Sequence, residues 1–284
     1  MNQSVAAVII TFNRLELLKE VLSAVKNQSR KPDKIIVVNN SSTDGTTEWL
    51  SEQEGIDVIT QDNLGSSGGQ YTGLKITYES GFDWIWTMDD DVVPETNCLE
   101  NLLKANGNYL IRTPLRFDSK NIPFLNDAVS YNFSNPFKSL WVRIISKEDL
   151  SNDYIEAVGI TFEGPLIHRS VIEKIGLPNP NFFIFADDTD FFVRANRANF
   201  KSAIVTSAKL YRKIDIPKDI YKFTWKTYYI VRNLIWLDRI FGSFLVKYIR
   251  PFGYLLVWLL RSKSFSDIIT VFKAFKSGYL GKYR

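Results

Sequence analysis

The sequence predicts an α/β protein whose mainly parallel sheet is covered by helices on both faces. Strand and helix patterns alternate through the first third of the 284 residues, and this order implies right-handed crossovers between parallel strands. The first strands are continuous apolar runs, as expected where both faces of a sheet are buried. Polar or glycine-rich residues follow these runs, at the edge of the sheet where ligands bind. We therefore expect the functional site at that edge.

The first elements have clear signals. Val5–Phe12 is an apolar, β-branched run that predicts a strand. Leucine and valine then repeat at helical spacing up to Val25, after Asn13 as the expected N-cap. Lys34–Val38 predicts the second strand, and a short helix is expected to begin near Asp44.

The next stretch repeats the alternation. Asp57–Thr60 predicts a third strand, Asn63–Gly69 a glycine-rich loop, Gly73–Tyr78 a helix and Trp84–Met88 a fourth strand. The glycines would let a ligand approach the backbone closely. The loop lacks the Lys-Ser/Thr ending of a P-loop, and no G-x-G-x-x-G follows the first strand, so neither triphosphate hydrolysis nor dinucleotide binding is indicated.

The rest of the chain is less regular, and residues 113–156 show no clear pattern. Two strands and two helices are predicted beyond them: Val158–Ile167, Ser170–Ile175, Asp187–Asn196 and Ser202–Val205. The pattern turns helical, aromatic and basic near residue 215. We therefore expect an α/β domain over residues 1–214 and a helical C-terminal region over residues 215–284.

The composition excludes several classes of protein. With 45% hydrophobic and 23% charged residues, the chain is neither disordered nor a coiled coil. Cys98 and His168 are the only cysteine and histidine, so a bound metal would depend largely on carboxylates. The net charge is −9 over residues 1–200 and +13 over residues 201–284. This asymmetry indicates separate roles for the two parts.

The first candidate site is the triplet Asp89, Asp90 and Asp91, directly after the fourth strand. In an extended chain alternate side chains share a face, so Asp89 and Asp91 can converge. Neighbouring carboxylates repel each other unless a cation lies between them, and hard oxygen ligands favour Mg²⁺ or Mn²⁺. A solvated acidic turn is the alternative, but a position at the carboxyl end of a buried strand favours a metal site.

The second candidate site is formed by Asp187, Asp188 and Asp190 at a predicted helix start. One of them can cap the helix, but three within four positions exceed what capping requires. The flanking aromatic residues would raise a carboxylate pKa by desolvation, which suits a general base. Arg194 and Arg197 lie nearby in the sequence and would offset this effect, so a structural cluster is the alternative.

Three motifs carry a family resemblance: VIITFNR at Val8–Arg14, VVNNSSTDG at Val37–Gly45 and MDDD at Met88–Asp91. They resemble the inverting, family 2 nucleotide-sugar glycosyltransferases of the GT-A fold. Further segments resemble bacterial galactofuranosyltransferases or the related rhamnosyltransferases: Asn63–Gly69, Gly176–Phe191, Tyr228–Asn233 and Gly278–Arg284. The resemblance covers residues 5–240 and implies a Rossmann-like, mainly parallel mixed sheet with a C-terminal helical appendage.

The resemblance implies a role for each position. The uracil and ribose of a UDP-sugar would be held by Thr11, Phe12, Arg14 and Asn39. The donor would be lined by Asn63, Gly68 and Gly69. Asp89 and Asp91 would bind a divalent metal, Mn or Mg, on the diphosphate, and Asp90 would contact the sugar. Asp188 would be the catalytic base for the acceptor hydroxyl, and Asp187 would orient the acceptor.

Some positions depart from the family pattern. Asn39 stands where many relatives have Asp, and Ala186 stands where an aromatic residue is usual. Relatives also carry a metal-binding histidine in the region where this chain has Arg212 and Lys213. Either the metal has fewer protein ligands, or these two side chains contact the diphosphate directly. His168 is expected to be an ordinary strand-end residue.

The basic C-terminal region has two interpretations. It could be an appendage with solvated cations, or an interfacial surface that places aromatic rings at headgroup depth and cations toward anionic lipid. Family acceptors are often polyprenyl-diphosphate-linked glycans, so the resemblance implies a cytoplasmic protein bound peripherally to the inner face of the plasma membrane. Pro251–Leu260 is too short to span a bilayer, Met1–Ser4 lacks the basic start of an export signal, and no nucleic-acid-binding motif is present.

These observations lead to one expected function and two alternatives. We expect an inverting transferase that moves galactofuranose from UDP-galactofuranose to a hydroxyl of a lipid-linked bacterial surface polysaccharide, such as O-antigen or capsule. Rhamnosyl transfer from a dTDP-sugar is one alternative. A catalytically degenerate glycan-binding subunit is the other. A nucleotidyltransferase would share the sheet and the metal but would leave the second acidic cluster unexplained.

Overall fold

The structure is a computed structural model that describes residues 3–105, 107–125, 128–214 and 222–283. Its strands are β1 (Val5–Thr11), β2 (Lys34–Asn39), β3 (Asp57–Thr60), β4 (Trp84–Asp89), β5 (Val92–Pro94), β6 (Ile111–Phe117), β7 (Ala128–Tyr131), β8 (Trp141–Ile144), β9 (Tyr154–Glu156), β10 (Leu166–His168) and β11 (Ser202–Arg212). Its helices are α1 (Leu15–Lys26), α2 (Thr46–Ser51), α3 (Gly65–Glu79), α4 (Cys98–Lys104), α5 (Arg169–Ile175), α6 (Asp187–Arg197), α7 (Thr227–Phe241), α8 (Phe244–Arg261) and α9 (Phe265–Leu280). Short 3-10 helices lie at Glu148–Ser151 and Pro180–Phe182.

Within the described ranges, nine strands form one mixed sheet in the order β3-β2-β1-β4-β10-β6-β11-β5, with β9 paired to β11. Strands β3, β2, β1 and β4 are parallel. β10 runs antiparallel between β4 and β6, and β6 pairs with β11 in parallel again. Strands β7 and β8 form a separate antiparallel pair. The predicted α/β class with a mainly parallel, mixed sheet is confirmed.

The strand register brings the polar strand ends to one level. Thr11 at the end of β1 pairs with Asn39 at the end of β2. On the other side of β1, Ile10 pairs with Asp89 at the end of β4. The side chains that follow these three strands therefore meet at the same edge of the sheet.

The core has one apolar layer on each face of the sheet. In β1, Val5, Ala7 and Ile9 pack in the layer covered by α1 and α4. Val8 and Ile10 point the other way, into the layer that includes residues of α3, α5 and α6. This alternation explains why β1 is apolar at successive positions.

The C-terminal helices are packed on the sheet domain and on each other. Residues of α7 share a buried cluster with Phe182, Ala186 and Val193. Another cluster joins α7 to Trp258 of α8 and Val271 of α9. The expected helical character after residue 215 is thus present over residues 227–280. The expected boundary at residues 214 and 215 borders residues 215–221, which lie outside the described residues.

The glycine-rich segment differs from the prediction, because helix α3 already begins at Gly65. The side chain of Asn63 accepts a hydrogen bond from the Gly65 amide at 3.0 Å. A Cβ added to Gly69 would lie 2.5 Å from Cγ2 of Ile10, and one added to Gly73 would lie 2.3 Å from Cγ1 of Val8. These two glycines let the helix approach β1 closely. The expectation of a loop over Asn63–Gly69 was therefore wrong.

The strand predicted over Val158–Ile167 was also wrong, because only Leu166–His168 is a strand there. Gly164 has a φ of 84°, in the left-handed region, and Pro165 has no amide hydrogen for a strand ladder. The preceding Glu163 is held by arginine side chains. Residues 113–156, for which no element was predicted, contain β7 to β9 and most of β6.

The cap expected at Asn13 is absent. Asn13 has a φ of 53°, and its side-chain oxygen accepts a hydrogen bond from the Thr43 amide at 2.7 Å. The amide of Leu15, at the start of α1, donates instead to Asp44 Oδ2 at 3.0 Å. Hydrogen bonds thus join the polar loop after β1 to the polar loop after β2.

Candidate active site

The acidic triplet at the end of β4 is bonded to the loop after β1. Asp90 Oδ2 accepts hydrogen bonds from Thr11 Oγ1 at 2.8 Å and from the Phe12 amide at 3.2 Å. Arg14 Nη1 donates to Asp90 Oδ1 at 3.0 Å and to Asp91 Oδ2 at 2.8 Å. These five residues, selected from separate motifs, are in direct contact.

Asp90 is buried, and both of its carboxylate oxygens are bonded within the protein. Burial raises its pKa, although the charge of Arg14 and the hydrogen bond from Thr11 oppose that change. A buried carboxylate that is this well bonded fixes the turn between β1 and α1. Its present contacts are with the protein's own backbone and side chains.

The negative charges of Asp89 and Asp91 are less completely compensated by hydrogen bonds and cations than the charge of Asp90. Burial raises the pKa of Asp89 well above its ordinary value, and the negative charges of Asp91 and Glu163 add to the effect. Its polar neighbour Gln70 lies 3.4 Å from Oδ1. Burial also raises the pKa of Asp91, which Arg14 partly offsets. Two carboxylates whose charges repel in this way fit a divalent cation, because its charge would relieve their repulsion.

This donor set contains two carboxylates only. Among the residues that the structure describes, no group of three or more His, Cys, Asp or Glu side chains is arranged to hold a metal ion. A cation bound by Asp89 and Asp91 would take its other ligands from water and from substrate phosphate oxygens, as Mg²⁺ commonly does.

Strand β11 brings Arg212 close enough to Asp91 for its positive charge to act on that carboxylate. Arg212 Nη2 bonds to Oε1 of Glu163, and Arg116 Nη1 bonds to Oε2 at 2.5 Å. Burial alone would raise the pKa of Glu163, but the two guanidinium groups hold it below its ordinary value. Arg212 Nη1 is buried without a hydrogen-bond partner among the described residues. A buried N–H group without an acceptor is unusual, and an anionic ligand that reached it would supply the missing acceptor.

Lys213 points elsewhere. Its ammonium group pairs with Glu20 of α1 at 2.6 Å, and its amide donates to the Asp91 carbonyl at 2.8 Å. Of the two cations that stand where relatives carry a histidine, Arg212 is the one whose charge acts on the Asp91 carboxylate. His168 lies at the end of β10, where its Nδ1 caps helix α5.

The other predicted donor-binding residues line this edge with contacts of their own. Asn39 is fully buried, donating to Thr47 Oγ1 at 2.9 Å and accepting from the Ser42 amide at 3.0 Å. The Phe12 ring is 41% exposed, and Asn63 is exposed. Gly68 and Gly69 are buried in the first turns of α3, where Gly69 packs on β1.

The second acidic cluster lies at the start of α6. Asp188 is partly exposed, and its Oδ1 accepts hydrogen bonds from the Thr189 amide at 2.6 Å and from Thr189 Oγ1. Asp187 is buried, and its Oδ2 has no hydrogen-bond partner among the described residues. Asp190 bonds to Arg194 Nε at 2.9 Å. Asp190 is therefore part of a structural ion pair, whereas no cation among the described residues pairs with Asp187 or Asp188.

This difference changes the acidity of the pair. Burial raises the pKa of Asp187 to about 6. Burial also raises the pKa of Asp188 to about 7, and the adjacent charge of Asp187 adds to the effect. A carboxylate with a pKa near neutrality and with access to solvent can accept a proton from a substrate hydroxyl.

The two clusters lie close enough to interact. The charge of Asp187 contributes to the raised pKa of Asp89, and Glu163 acts on both Asp89 and Asp188. Helix α3 connects the two sides, since the Ser67 amide donates to the Phe183 carbonyl at 3.1 Å. Arg212, together with a cation held by Asp89 and Asp91, can bind an anionic group. Asp188, near this group, can accept a proton.

Sequence patterns missed several residues of this site. Glu163 was included in an apolar strand, although a charged residue within such a run signals a buried ion pair. Arg116 lies in the unassigned region. Arg232 and Asn233 of α7, described below, belong to a motif that was recognised without a role.

Comparison with known proteins agrees with the fold. The family model "Glycosyl transferase family 2" matches residues 6–176. Galactofuranosyltransferase GlfT1 of Mycolicibacterium smegmatis is 29% identical over 202 residues, which are 68% of this chain and 66% of that enzyme. The O-antigen chain rhamnosyltransferase RfbN of Salmonella typhimurium is 24% identical over 288 residues, covering 98% of this chain and 90% of that enzyme.

A solved structure shows the same architecture. The crystal structure of GalNAc-T7 with UDP, GalNAc and Mn²⁺ has a TM-score of 0.62, covers 83% of this chain and is 12% identical in sequence. This chain spans 48% of GalNAc-T7 and just under two thirds of the mycobacterial enzyme. The structural likeness is one of fold, and GalNAc-T7 has the GT-A fold. Because the family model covers more than half of its residues, this chain belongs to glycosyl transferase family 2.

Proposed function

We propose that this protein is an inverting glycosyltransferase, a hexosyltransferase, that moves galactofuranose from UDP-galactofuranose to a hydroxyl of a lipid-linked surface polysaccharide. The observation that carries the proposal is that two unlike acidic clusters lie close enough for their charges to interact. Asp91 pairs with Arg14, and the charge of Arg212 also acts on it, whereas burial raises the pKa of Asp188 to about 7. The mycobacterial galactofuranosyltransferase among the relatives supports this choice of sugar.

The chemistry is a single displacement at the anomeric carbon. The Asp188 carboxylate accepts the proton of the acceptor hydroxyl as that oxygen bonds to the anomeric carbon. The bond from this carbon to the diphosphate oxygen breaks on the opposite face, and UDP leaves with the electron pair. The anomeric configuration is therefore inverted. A positioned general base contributes a factor of about 10² to 10⁴ to such a step. Asp187, whose Oδ2 is unbonded within the described residues, would orient the acceptor.

The donor is held at the other side of the site. Asp89 and Asp91 would hold a divalent cation, Mn or Mg, which when bound stabilises the negative charge of the leaving diphosphate. The unpartnered Nη1 of Arg212 would donate to a phosphate oxygen. The half-exposed Phe12 ring would stack on the uracil, and Asp90 would contact the sugar. The other donor contacts would come from Thr11, Arg14, Asn39, Asn63, Gly68 and Gly69.

Rhamnosyl transfer from a dTDP-sugar is the second candidate. The Salmonella rhamnosyltransferase aligns over 98% of this chain, so its similarity includes the C-terminal helices, whereas the mycobacterial match covers 68%. A catalytically degenerate glycan-binding subunit is the third candidate. Arg212 in the place of a metal-binding histidine is the observation that favours it, and a base-competent Asp188 opposes it.

A donor panel separates these candidates. The purified protein is assayed with UDP-galactofuranose, UDP-galactopyranose and dTDP-rhamnose, with Mn²⁺ or with EDTA, and released nucleotide is measured. We expect UDP release from UDP-galactofuranose, and a large loss with EDTA. Turnover of dTDP-rhamnose alone would replace the proposal by rhamnosyl transfer. Donor binding without any turnover would favour the degenerate subunit.

We further propose that this cytoplasmic protein binds an anionic membrane surface peripherally, at the inner face of the plasma membrane. No helix in the described part of the chain has the length and apolar content needed to cross a bilayer. The outer face of α8 is nevertheless apolar, with eight side chains that are 38% to 78% exposed: Phe244, Leu245, Tyr248, Ile249, Phe252, Leu256, Val257 and Leu260.

The charges around this α8 face select the kind of membrane. Residues 244–283 contain seven Lys or Arg residues and one acidic residue, Asp267. Arg261 and Lys263 follow the apolar face directly, and both are exposed. Apolar side chains that insert at headgroup depth, flanked by cations, match an anionic bilayer. Such a location would bring the site to a lipid-linked acceptor.

Vesicle sedimentation tests this surface. We expect binding to phosphatidylglycerol vesicles, weaker binding to phosphatidylcholine, and at least about tenfold weaker binding for the double variant Leu256→Glu, Leu260→Glu. Val58→Glu, at an exposed position on β3, is the matched control and should bind like the wild type. Self-association in solution that the double variant abolishes, without vesicle binding, would instead assign the face to a second copy.

A further inference from the structure

The segment that leads into the second acidic cluster has an unusual backbone. Three of its non-glycine residues have left-handed φ values: Phe183 at 63°, Phe185 at 72° and Ala186 at 69°. Each such residue costs free energy and persists only where the surroundings hold it. We call residues 181–186 the base loop, because Asp187 and Asp188 follow it directly.

The amide of Asn233 holds the middle of the base loop. Asn233 is fully buried in α7. Its Nδ2 lies within hydrogen-bond distance of three loop carbonyls, those of Phe182 at 3.0 Å, Ile184 at 2.9 Å and Phe185 at 2.7 Å. One side chain from a helix some fifty residues away thus binds the segment that contains the strained backbone.

Arg232 completes this contact. Its Nη2 donates to the carbonyls of Asn181 and Phe182, both at 2.8 Å. Its Nε donates to Asn233 Oδ1 at 2.8 Å, so the oxygen of the amide is engaged and its NH₂ group faces the loop. The guanidinium also lies 4.2 Å from the centre of the Trp236 ring, and the side chain is buried.

Helix α9 supports the pair from behind. A Cβ added to Gly278 of α9 would lie 2.9 Å from the Arg232 carbonyl oxygen, so the two helices are in close contact there. Near the end of the chain, the Tyr283 carbonyl accepts a hydrogen bond from Asn179, just before the base loop. Helix α7 therefore contacts the base loop through the buried pair, α9 packs against that pair, and the residues after α9 are bonded to Asn179 just before the loop.

We propose that Arg232 and Asn233 are positioning residues that set the base loop, and through it the orientation of Asp188 toward the acceptor. This inference rests on the proposed function. It makes α7, with α9 behind it, a working part of the active site. A purely structural pair would stabilise the protein without affecting the rate of a folded variant.

The test is Asn233→Asp, which keeps the size of the side chain but removes its NH₂ donors. We expect kcat to fall by about 100-fold, because the base is misplaced, while KM for the donor and the affinity for UDP change by less than about twofold. In the uncharged variant Asn233→Ser, which adds no carboxylate near Asp187 and Asp188, the acid limb of the pH–rate profile should also move to lower pH, since an opened loop exposes Asp188 to water. Asp187 and Glu163, which also act on Asp188, are unchanged in this variant.

The control is Arg239→Gln on the same helix. Arg239 donates to the Tyr279 carbonyl and packs over the Tyr279 ring, facing α9 and not the base loop. It should lower the melting temperature and leave kcat unchanged. If Asn233→Asp does not fold, Asn233→Ser, which keeps one donor, should show an intermediate loss of kcat. A folded Asn233 variant with the kcat and pH profile of the wild type would overturn the proposal.

Hydrogen exchange separates this inference from the proposed function. Amide exchange over residues 183–189 should be faster in Asn233→Asp than in the wild type, and unchanged in Arg239→Gln. This measurement needs no substrate. A wild-type protein that turns over no nucleotide-sugar would defeat the proposed function, whereas unchanged exchange in Asn233→Asp would defeat the positioning role.

Discussion

The triplet Asp89–Asp91 and the pair Asp187–Asp188 lie close enough for their charges to interact, and different contacts hold them. The triplet follows β4, whose register with β1 places it beside Thr11 and Arg14. The pair follows a loop with three left-handed residues that Asn233 of α7 holds. We call these the strand side and the loop side of the site.

This difference predicts how each side responds to mutation. The strand side depends on hydrogen bonds within a parallel sheet, which distant substitutions disturb little. The loop side depends on a few buried polar contacts from another part of the chain, and each is costly to lose. Substitutions that remove the contacts of Arg232 or Asn233 with the loop should therefore affect turnover and leave nucleotide binding intact.

The largest effect is expected for Asp188→Asn on the loop side. The amide cannot accept the acceptor proton, so kcat should fall by about 10³-fold. The affinity for UDP should stay within about twofold, because the nucleotide is held on the strand side. Steady-state kinetics and calorimetry of UDP binding measure the two quantities.

Asp190→Asn is the matched control for that experiment. Asp190 lies two residues further along α6 and pairs with Arg194, so its loss should lower stability and leave kcat near the wild-type value. An Asp188→Asn variant that turns over normally would remove Asp188 from the role of base. The strand side alone would then carry the chemistry.

A smaller effect is expected on the strand side for Arg212→Gln. Removing the guanidinium whose Nη1 is unpartnered within the described ranges should weaken UDP binding about tenfold, or about 1.4 kcal/mol. Lys213→Gln removes a cation that pairs with Glu20 and should bind UDP like the wild type. Equal losses in the two variants would mean that general charge, and not a directed contact, attracts the nucleotide.

The sequence predicted the strand side better than the loop side for a physical reason. The change from apolar to polar residues marks the ends of β1, β2 and β4 in the sequence. Parallel pairing of these strands then brings Thr11, Asn39 and Asp89 to the same edge of the sheet. The three short motifs that contain these strand ends therefore predict most of the geometry of the strand side. The glycines of α3 were misread because a glycine that lets a helix approach a sheet looks, in sequence, like one that admits a ligand.

On the loop side, the sequence identified Asp187 and Asp188 but not what positions them. Asn233 contacts carbonyl groups between residues 182 and 185, about fifty positions away in the sequence. Every residue type has a backbone carbonyl, so the sequence does not indicate which carbonyl accepts such a hydrogen bond. Glu163 was missed similarly, because its partners Arg116 and Arg212 come from two other strands.

With a divalent cation bound, which keeps Asp89 and Asp91 ionised, the pH dependence of transfer should report the loop side. Burial raises the pKa of Asp188 to about 7, and the base works when it is ionised, so the rate should rise with pH through about 7. In Asp187→Asn the neighbouring negative charge is gone, ionisation of Asp188 becomes easier, and the acid limb should move down by about one unit. If the acid limb does not move in Asp187→Asn, the group that titrates is not Asp188. Rates of UDP release from pH 5 to 9 measure the limb.

The smallest effect on turnover is expected for Gly69→Ala, which probes the packing beneath the strand side. The added Cβ would lie 2.5 Å from Cγ2 of Ile10, one residue before Thr11, and overpacking of this kind costs about 1 to 3 kcal/mol. The melting temperature should fall while the acid limb stays in place. Gly253→Ala, within α8 and with nothing inside 4 Å, should instead stabilise the protein by up to about 1 kcal/mol. Gly69 packs against β1, on the strand side. A shifted acid limb in Gly69→Ala would therefore show that the strand side and the loop side are coupled through the sheet and do not respond independently to mutation.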